Sequence, residues 1–464
     1  MPLCVKMMGT SGYGLFSIYA VLLSYFTLAD LGISKNLFRQ LSAEREDSTQ
    51  CYNLQIASGM YLIVSAVLFF ALPFLIVVIP LYVFPVSAES LVQLRLIVFL
   101  TLIEYVISIP LIMLQNYCIA NERFDNYSKF TFISGVYRYL LLFAAVWLLG
   151  SPIAIVGIMA ARRIIDFFVA LKIMGALPRN AWRPVFDLAV FKSIISRSSA
   201  LTFAQLFQST YIAIGSFLVN KYFGLHGLGV YRAVFDLVNK IWFVSNGIAL
   251  VLFPKFSQML SGSDSRKRLL SLSIVMLCLS WSAYSLLSVA GTLFATEFLA
   301  MIGLYTSEMP AMFILLLLGV SINSHANLSY EFLQAAGRYR LVAVLNMVAL
   351  IGAYLSFNAL LNYAGIYAIA WAWIISQTIY STFTDLMSLQ EMNATSNNHL
   401  NFLLLKVSIL SIPLSAIFIR ILSLPNLYIY LAFSLIIAVF AAISIKFNNE
   451  IISYRSLRKL ELNT

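Results

Sequence analysis

LVQLRLIVFLTLIEYVISIPLIML, residues 91–114, decides the fold class. The run holds two charged side chains, Arg95 and Glu104, in a row of branched and aromatic apolar residues. Wound as a helix at about 1.5 Å per residue, such a run crosses the roughly 30 Å hydrocarbon layer of a bilayer. Comparable runs lie near 13–33, 56–79, 130–149, 153–174, 199–220, 228–253, 271–293, 309–330, 341–361, 364–386, 402–421 and 425–446. That predicts about thirteen spans. Prolines and glycines inside them, Pro73, Pro110 and Gly319 among them, are compatible with helices in a bundle, where neighbours satisfy the freed backbone groups.

Composition agrees with this reading. The 464-residue chain is 61% hydrophobic and 11% charged, with mean hydropathy +0.89. A soluble protein keeps roughly a quarter of its residues charged, so the polar complement here cannot cover a water-facing surface. The expected fold class is therefore an all-α, polytopic membrane protein. The net charge of +11 would suggest nucleic acid in a soluble domain. In a membrane protein, excess Lys and Arg gather in cytoplasmic loops instead, and no nucleic-acid partner is expected. Cys4, Cys51, Cys118 and Cys278 are scattered, without the spacing of a zinc site or a disulfide frame.

Loop charge sets the orientation. The connections at 34–55, 115–129, 175–198, 254–270 and 331–340, with the tail after 446, hold most of the basic residues, such as Lys35, Arg123, Lys192, Arg266 and Arg338. The alternate connections at 80–90, 150–152, 294–308 and 362–363 hold none. The positive-inside rule places the basic loops and the C-terminus in the cytoplasm, and an odd span count leaves Met1 outside.

A shift of 215 positions aligns widely spaced landmarks. Lys6 falls on Lys221, Gly9 on Gly224, Gly12 on Gly227 and Gly14 on Gly229. Ala120 falls on Ala335, Arg123 on Arg338 and Gly150 on Gly365. Matches of Gly, Lys and Arg at one offset indicate two parallel six-span halves. The expected organisation is an N-terminal bundle at 1–180, a C-terminal bundle at 181–395, a helix pair at 396–446 and a cytoplasmic tail at 447–464. The same shift sets span 199–220 opposite residues that would precede Met1, so a first helix is expected to be missing from the N-terminal bundle.

The run Gly12-Tyr13-Gly14-Leu15-Phe16, then Ser24-Tyr25-Phe26 and Asp30-Leu31-Gly32-Ile33, resembles the second span of polysaccharide flippases of the O-antigen (Wzx) type. These belong to the multidrug/oligosaccharidyl-lipid/polysaccharide exporter superfamily. Asn121-Glu122-Arg123-Phe124 is similar too, and the resemblance covers essentially the whole chain. It implies two bundles around a central cavity in the bacterial inner membrane. The implied substrate is an oligosaccharide on undecaprenyl pyrophosphate, moved from the cytoplasmic to the periplasmic leaflet by alternating access. A polysaccharide polymerase and a chain-length regulator are implied partners, beside membrane lipids. No cofactor is expected; coupling to H+ or Na+ is left open.

Ionisable residues far from span ends are the candidate site, because each costs about 2.5–3.5 kcal/mol or more in lipid and needs a partner or a wet cavity. Arg232, Asp236 and Lys240 are spaced i, i+4, i+8, a helical stripe with one net positive charge. Arg162, Arg163 and Asp166 form a second group, and Arg138 has no acid within four residues. The cations Lys240, Arg232, Arg138, Arg162 and Arg163 suit a pyrophosphate. Glu104, Asp166 and Asp236 serve either ion coupling or charge balance, and a Glu104–Arg138 bridge is the expected structural pairing. Asn323, Ser324, His325 and Asn327 make one span unusually polar. They would either face a glycan or hydrogen-bond between helices.

No catalytic constellation appears, and the longest connection, 175–198, is too short for an enzymatic domain. The rival function is an ion-coupled multidrug or toxic-compound exporter of the same superfamily. A cation exporter would favour an acidic cavity, whereas the excess here is basic.

Overall fold

The computed structural model describes residues 2–28, 30, 33–43, 46–243, 245, 263–304 and 306–391. Helices run through nearly all of them: α1 (Pro2–Leu28), α2 (Ile33–Ala43), α3 (Asp47–Val78), α4 (Ala88–Ala120), α5 (Phe124–Leu149) and α6 (Pro152–Met174). Then follow α7 (Leu188–Val238), α8 (Ser263–Met301), α9 (Met309–Ala335), α10 (Tyr339–Ala364) and α11 (Ala368–Glu391). The chain is an all-helical, multi-pass membrane protein. Seven stretches among the described residues are long and apolar enough to cross a bilayer, α10 and α11 counting as one. The expected spans at 402–421 and 425–446, and the tail, lie outside the described residues.

Each helix end has a local cause. Pro152 opens α6 at a position where the missing N–H has no intrahelical acceptor to lose. Gly150 closes α5 in the left-handed conformation, φ 60°, and its N–H donates to Val146 O. Pro73 is accommodated inside α3, which passes into a π turn at Ile79–Val83. The first span differs from the expected 13–33. Its helix starts at Pro2 and stops at Leu28, and the polar stretch from Ser34 forms a separate short helix, α2. Asp30 caps it, its carboxylate accepting the Ser34 N–H at 3.1 Å and the Tyr61 hydroxyl at 2.5 Å.

Six of the eight left-handed positions among the described residues, all but Gly175 and Gly303, pair at a fixed interval. Gly9 (φ 71°) and Gly224 (φ 64°) bend α1 and α7, Glu122 (φ 60°) and Gly337 (φ 74°) end α4 and α9, and Gly150 (φ 60°) pairs with Gly365 (φ 55°). The intervals 9 to 224, 122 to 337 and 150 to 365 are each 215. Helices α5 and α10 have the same length, 26 residues, and start at 124 and 339.

Packing divides the chain into two compact units. Unit 1 takes Met1–Ala233 with Tyr339–Leu350, and unit 2 takes Val234–Arg338 with the chain from Ile351 on. In unit 1, α4 packs most closely on α6 and α5 on α6, with α1, α2 and α3 against α4. Also in unit 1, α1 crosses α7 at two glycines. A Cβ on Gly14 would sit 2.2 Å from Leu225 O, and one on Gly229 would sit 1.8 Å from Thr10 O. The two contacts are reciprocal under the same 215 shift, which takes 14 to 229 and 10 to 225. Thr10 Oγ1 and His226 Nδ1, 2.7 Å apart, hydrogen-bond beside them. In unit 2, α9 lies between α11 and α8.

Candidate functional site

Four helices of unit 1 converge on one ionic cluster. Glu104 falls halfway along α4, and Arg162, Arg163 and Asp166 near the middle of α6, so the group sits about midway along its helices. Glu104 is 1% exposed, Asp166 0% and Arg162 3%. Arg162 Nη1 is 2.7 Å from Asp166 Oδ2, one helical turn apart. Arg163 touches both acids. Its Nε is 2.9 Å from Glu104 Oε1, and its Nη1 is 3.7 Å from Asp166 Oδ2.

Hydroxyls complete the carboxylates. Tyr19 on α1 donates to Glu104 Oε2 at 2.6 Å. On α5, Ser134 donates to Asp166 Oδ1 at 2.8 Å, and the Tyr137 phenol donates to the same oxygen. Buried ions are tolerated only when their remaining lone pairs and protons are satisfied as well as their charges. Two carboxylates here face two guanidinium groups, and three hydroxyls donate to the other carboxylate oxygens, while Asp166 Oδ2 meets the arginines as an ion pair without a hydrogen bond. Arg162 Nε makes no hydrogen bond.

Arg138 is placed differently from expectation. Glu104 takes Arg163 as its partner, and among the described residues Arg138 joins no ion pair. Both Glu104 oxygens are already engaged, Oε1 by Arg163 and Oε2 by Tyr19. Arg138 follows Ser134 by four residues and so shares its side of α5. It is exposed, yet within charge–charge range of Arg162 and Tyr19. Added to the balanced four ions, it leaves the group with one net positive charge.

The other expected residues are not gathered with this cluster. Arg232 is buried on α7, and both it and Asp236 are engaged by neighbours. Lys240 is exposed on a 3-10 turn, Asn239–Ile241, beyond the end of α7, so the stripe does not continue on one α-helical face. The boundary between the units, at Ala233, passes through the stripe.

In unit 2 the polar residues of α9 bond to other helices or to their own backbone. Asn323 Nδ2 donates to Gln377 Oε1 of α11 at 2.7 Å, and Ser324, 1% exposed, returns its hydroxyl to Val320 O at 2.7 Å. Asn327 is half-buried and also engaged, and the His325 side chain lies outside the described residues. Ser329 donates to Asp385 Oδ1 at 2.7 Å, both of them buried. Sequence reasoning missed Tyr19, Ser134, Tyr137, Gln377 and Asp385. Asp385 had a signal, a carboxylate within an apolar span. The tyrosines and Ser134 had none, since hydroxyls are common in membrane helices.

With this geometry in place, known proteins give the chain a family. The profile of the polysaccharide biosynthesis protein family matches residues 1–260, more than half of the 464. No curated protein sequence matches. Among solved structures, the fold is similar to "Lipid II flippase MurJ, inward closed conformation", with TM-score 0.69 and 12% identity over 97% of each chain. It is also similar to an inward-facing multidrug resistance MATE family transporter of the MOP superfamily, with TM-score 0.64 and 12% identity over 84% of this chain and 93% of that one. A MATE structure in the bent conformation gives TM-score 0.56 and 12% identity over 85% and 94%. At such identity these likenesses establish the fold, and the matched profile establishes the family. The chain belongs to the polysaccharide biosynthesis protein family, and it has the fold seen in the lipid II flippase and MATE transporter structures.

Proposed function

We propose that this protein carries an oligosaccharide linked to undecaprenyl pyrophosphate, an O-antigen or related repeat unit, from the cytoplasmic to the periplasmic leaflet of the inner membrane. The observation that carries this reading is the unit 1 cluster. A neutral set of ions, the buried Glu104, Asp166 and Arg162 and the half-buried Arg163, stands beside one exposed cation, Arg138, at mid-helix depth. Intramembrane charge of this kind marks a substrate path, and its positive excess favours an anionic headgroup over a cationic drug. Arg138 and the exposed part of Arg163 are the groups assigned to the pyrophosphate, since guanidinium forks match phosphate oxygens. Glu104 and Asp166, held by arginines, are assigned to charge balance rather than to a coupling ion. Lys240 and Arg232 are secondary candidates.

We further read the chain as two parallel halves, 1–180 and 181–395, that alternate in opening to the two sides, with the C-terminus cytoplasmic. Support comes from the three pairs of left-handed positions and the reciprocal contacts of Gly14 and Gly229. Under the same shift Arg162 corresponds to Gln377 and Glu104 to Gly319, so the ionic set belongs to one half alone. The test is complementation. In a host whose own surface-polysaccharide flippase is deleted, the intact chain restores surface display, and Arg138→Gln with Arg163→Gln does not, at equal membrane abundance. Full display by the double variant contradicts the assignment.

A further inference from the structure

At one end of unit 2 the helices part around a cavity of about 680 Å3. The size is that of a small-molecule site. It lies where α10 ends, turns through Gly365 (φ 55°) and starts again as α11, beside the N-terminus of α9. Three aromatic residues spaced by four, Tyr363, Tyr367 and Trp371, line it. Thr292 from α8 and Ser307 before α9 add hydroxyls. Tyr363 is 89% exposed, so its ring is not committed to the bundle's own core.

The lining selects a ligand class. None of the described lining residues carries a charge at neutral pH, and Glu308, next to Ser307, lies close enough to act electrostatically on Tyr367. A carboxylate there disfavours an anion. Aromatic faces with hydroxyls between them suit a molecule that is apolar on its faces and polar at its edges, which describes a sugar ring. We propose that this pocket is a binding site for one or two neutral sugar rings, with Trp371 and Tyr363 as stacking platforms. The preference for sugar over other neutral amphiphiles rests on the function proposed above. The bracketing connections, 294–308 and 362–363, carry no Lys or Arg, which by the positive-inside rule sets the pocket on the extracytoplasmic side. It would then meet the glycan after translocation.

The experiment is saturation-transfer NMR on the full chain in nanodiscs, with lactose and N,N′-diacetylchitobiose as probes. Transfer to at least one disaccharide is expected. It should weaken about fivefold in Trp371→Ala, the scale of one lost stacking contact, and recover in Trp371→Phe. If Trp371→Ala does not accumulate, Tyr363→Ala carries the test, because its ring lies almost wholly outside the packed core. No transfer to either probe, as an interfacial aromatic belt would give, overturns the proposal. So does transfer that these substitutions leave unchanged. Because the readout is binding, it stands or falls independently of whether Arg138 and Arg163 variants stop surface display.

Discussion

Arg163 on α6 holds Glu104 on α4, Nε to Oε1, at 2.9 Å, while Tyr19 on α1 secures the other carboxylate oxygen at 2.6 Å. A charge halfway along a membrane helix is thereby fixed by two neighbouring helices, so its rotamer is set before any substrate arrives. The pair is unequally buried, Glu104 at 1% and the Arg163 side chain at 23%. Loss of Arg163 therefore strands a buried anion, whereas loss of Glu104 leaves a cation with access to water.

That asymmetry is measurable. Arg163→Gln should lower stability by about 3 kcal/mol, and Glu104→Gln by about half as much, below the range for fully buried pairs because one partner is partly exposed. The double variant should recover part of the loss. Thermal or denaturant unfolding in detergent, run as a double-mutant cycle, reads this directly. Additive losses would show the pair to be uncoupled.

Asp166 stands at the centre of the cluster, accepting from Ser134 and Tyr137 and paired with both arginines. Asp166→Asn leaves Arg162, 3% exposed, as a buried unpaired cation, and should cost about 3–5 kcal/mol. Replacing both, Arg162→Met with Asp166→Leu, should restore most of that stability. Membrane abundance and melting temperature of the two variants check it, and a double variant no better than Asp166→Asn contradicts it.

The glycine crossing of α1 and α7 admits no side chain. A Cβ at Gly229 would approach Thr10 O to 1.8 Å, and the obstructing atoms are backbone. Gly229→Ala should destabilise by about 1–3 kcal/mol or more, the scale of overpacking. Gly135→Ala, on α5 with nothing within 4 Å, should be neutral or gain up to about 1 kcal/mol of helix propensity. Equal effects at the two positions would show that the crossing is not tightly packed.

Much of the fold was readable from hydropathy, because a lipid solvent imposes length and polarity together. The run 341–361 lies within α10, Tyr339–Ala364, and the run 153–174 within α6, Pro152–Met174. Hydropathy does not report where a helix bends or stops inside the membrane. The joined segments of α7 and the short helix α2 therefore appear only in the structure. The candidate site was legible as residue types but not as partners. Glu104 was expected to meet Arg138 because their depths agree. Contact also needs an open acceptor, and the two Glu104 oxygens are taken by Arg163 of α6 and Tyr19 of α1.

Translocation itself can be followed in liposomes holding the purified protein and a fluorescent undecaprenyl-pyrophosphate oligosaccharide, with an impermeant quencher added outside. The intact protein should bring the protected half of the lipid into the quenchable leaflet, while Arg138→Gln, folded and reconstituted at equal density, should leave it protected. Quenching by Arg138→Gln at the rate of the intact protein would rule out Arg138 as the cation that receives the pyrophosphate.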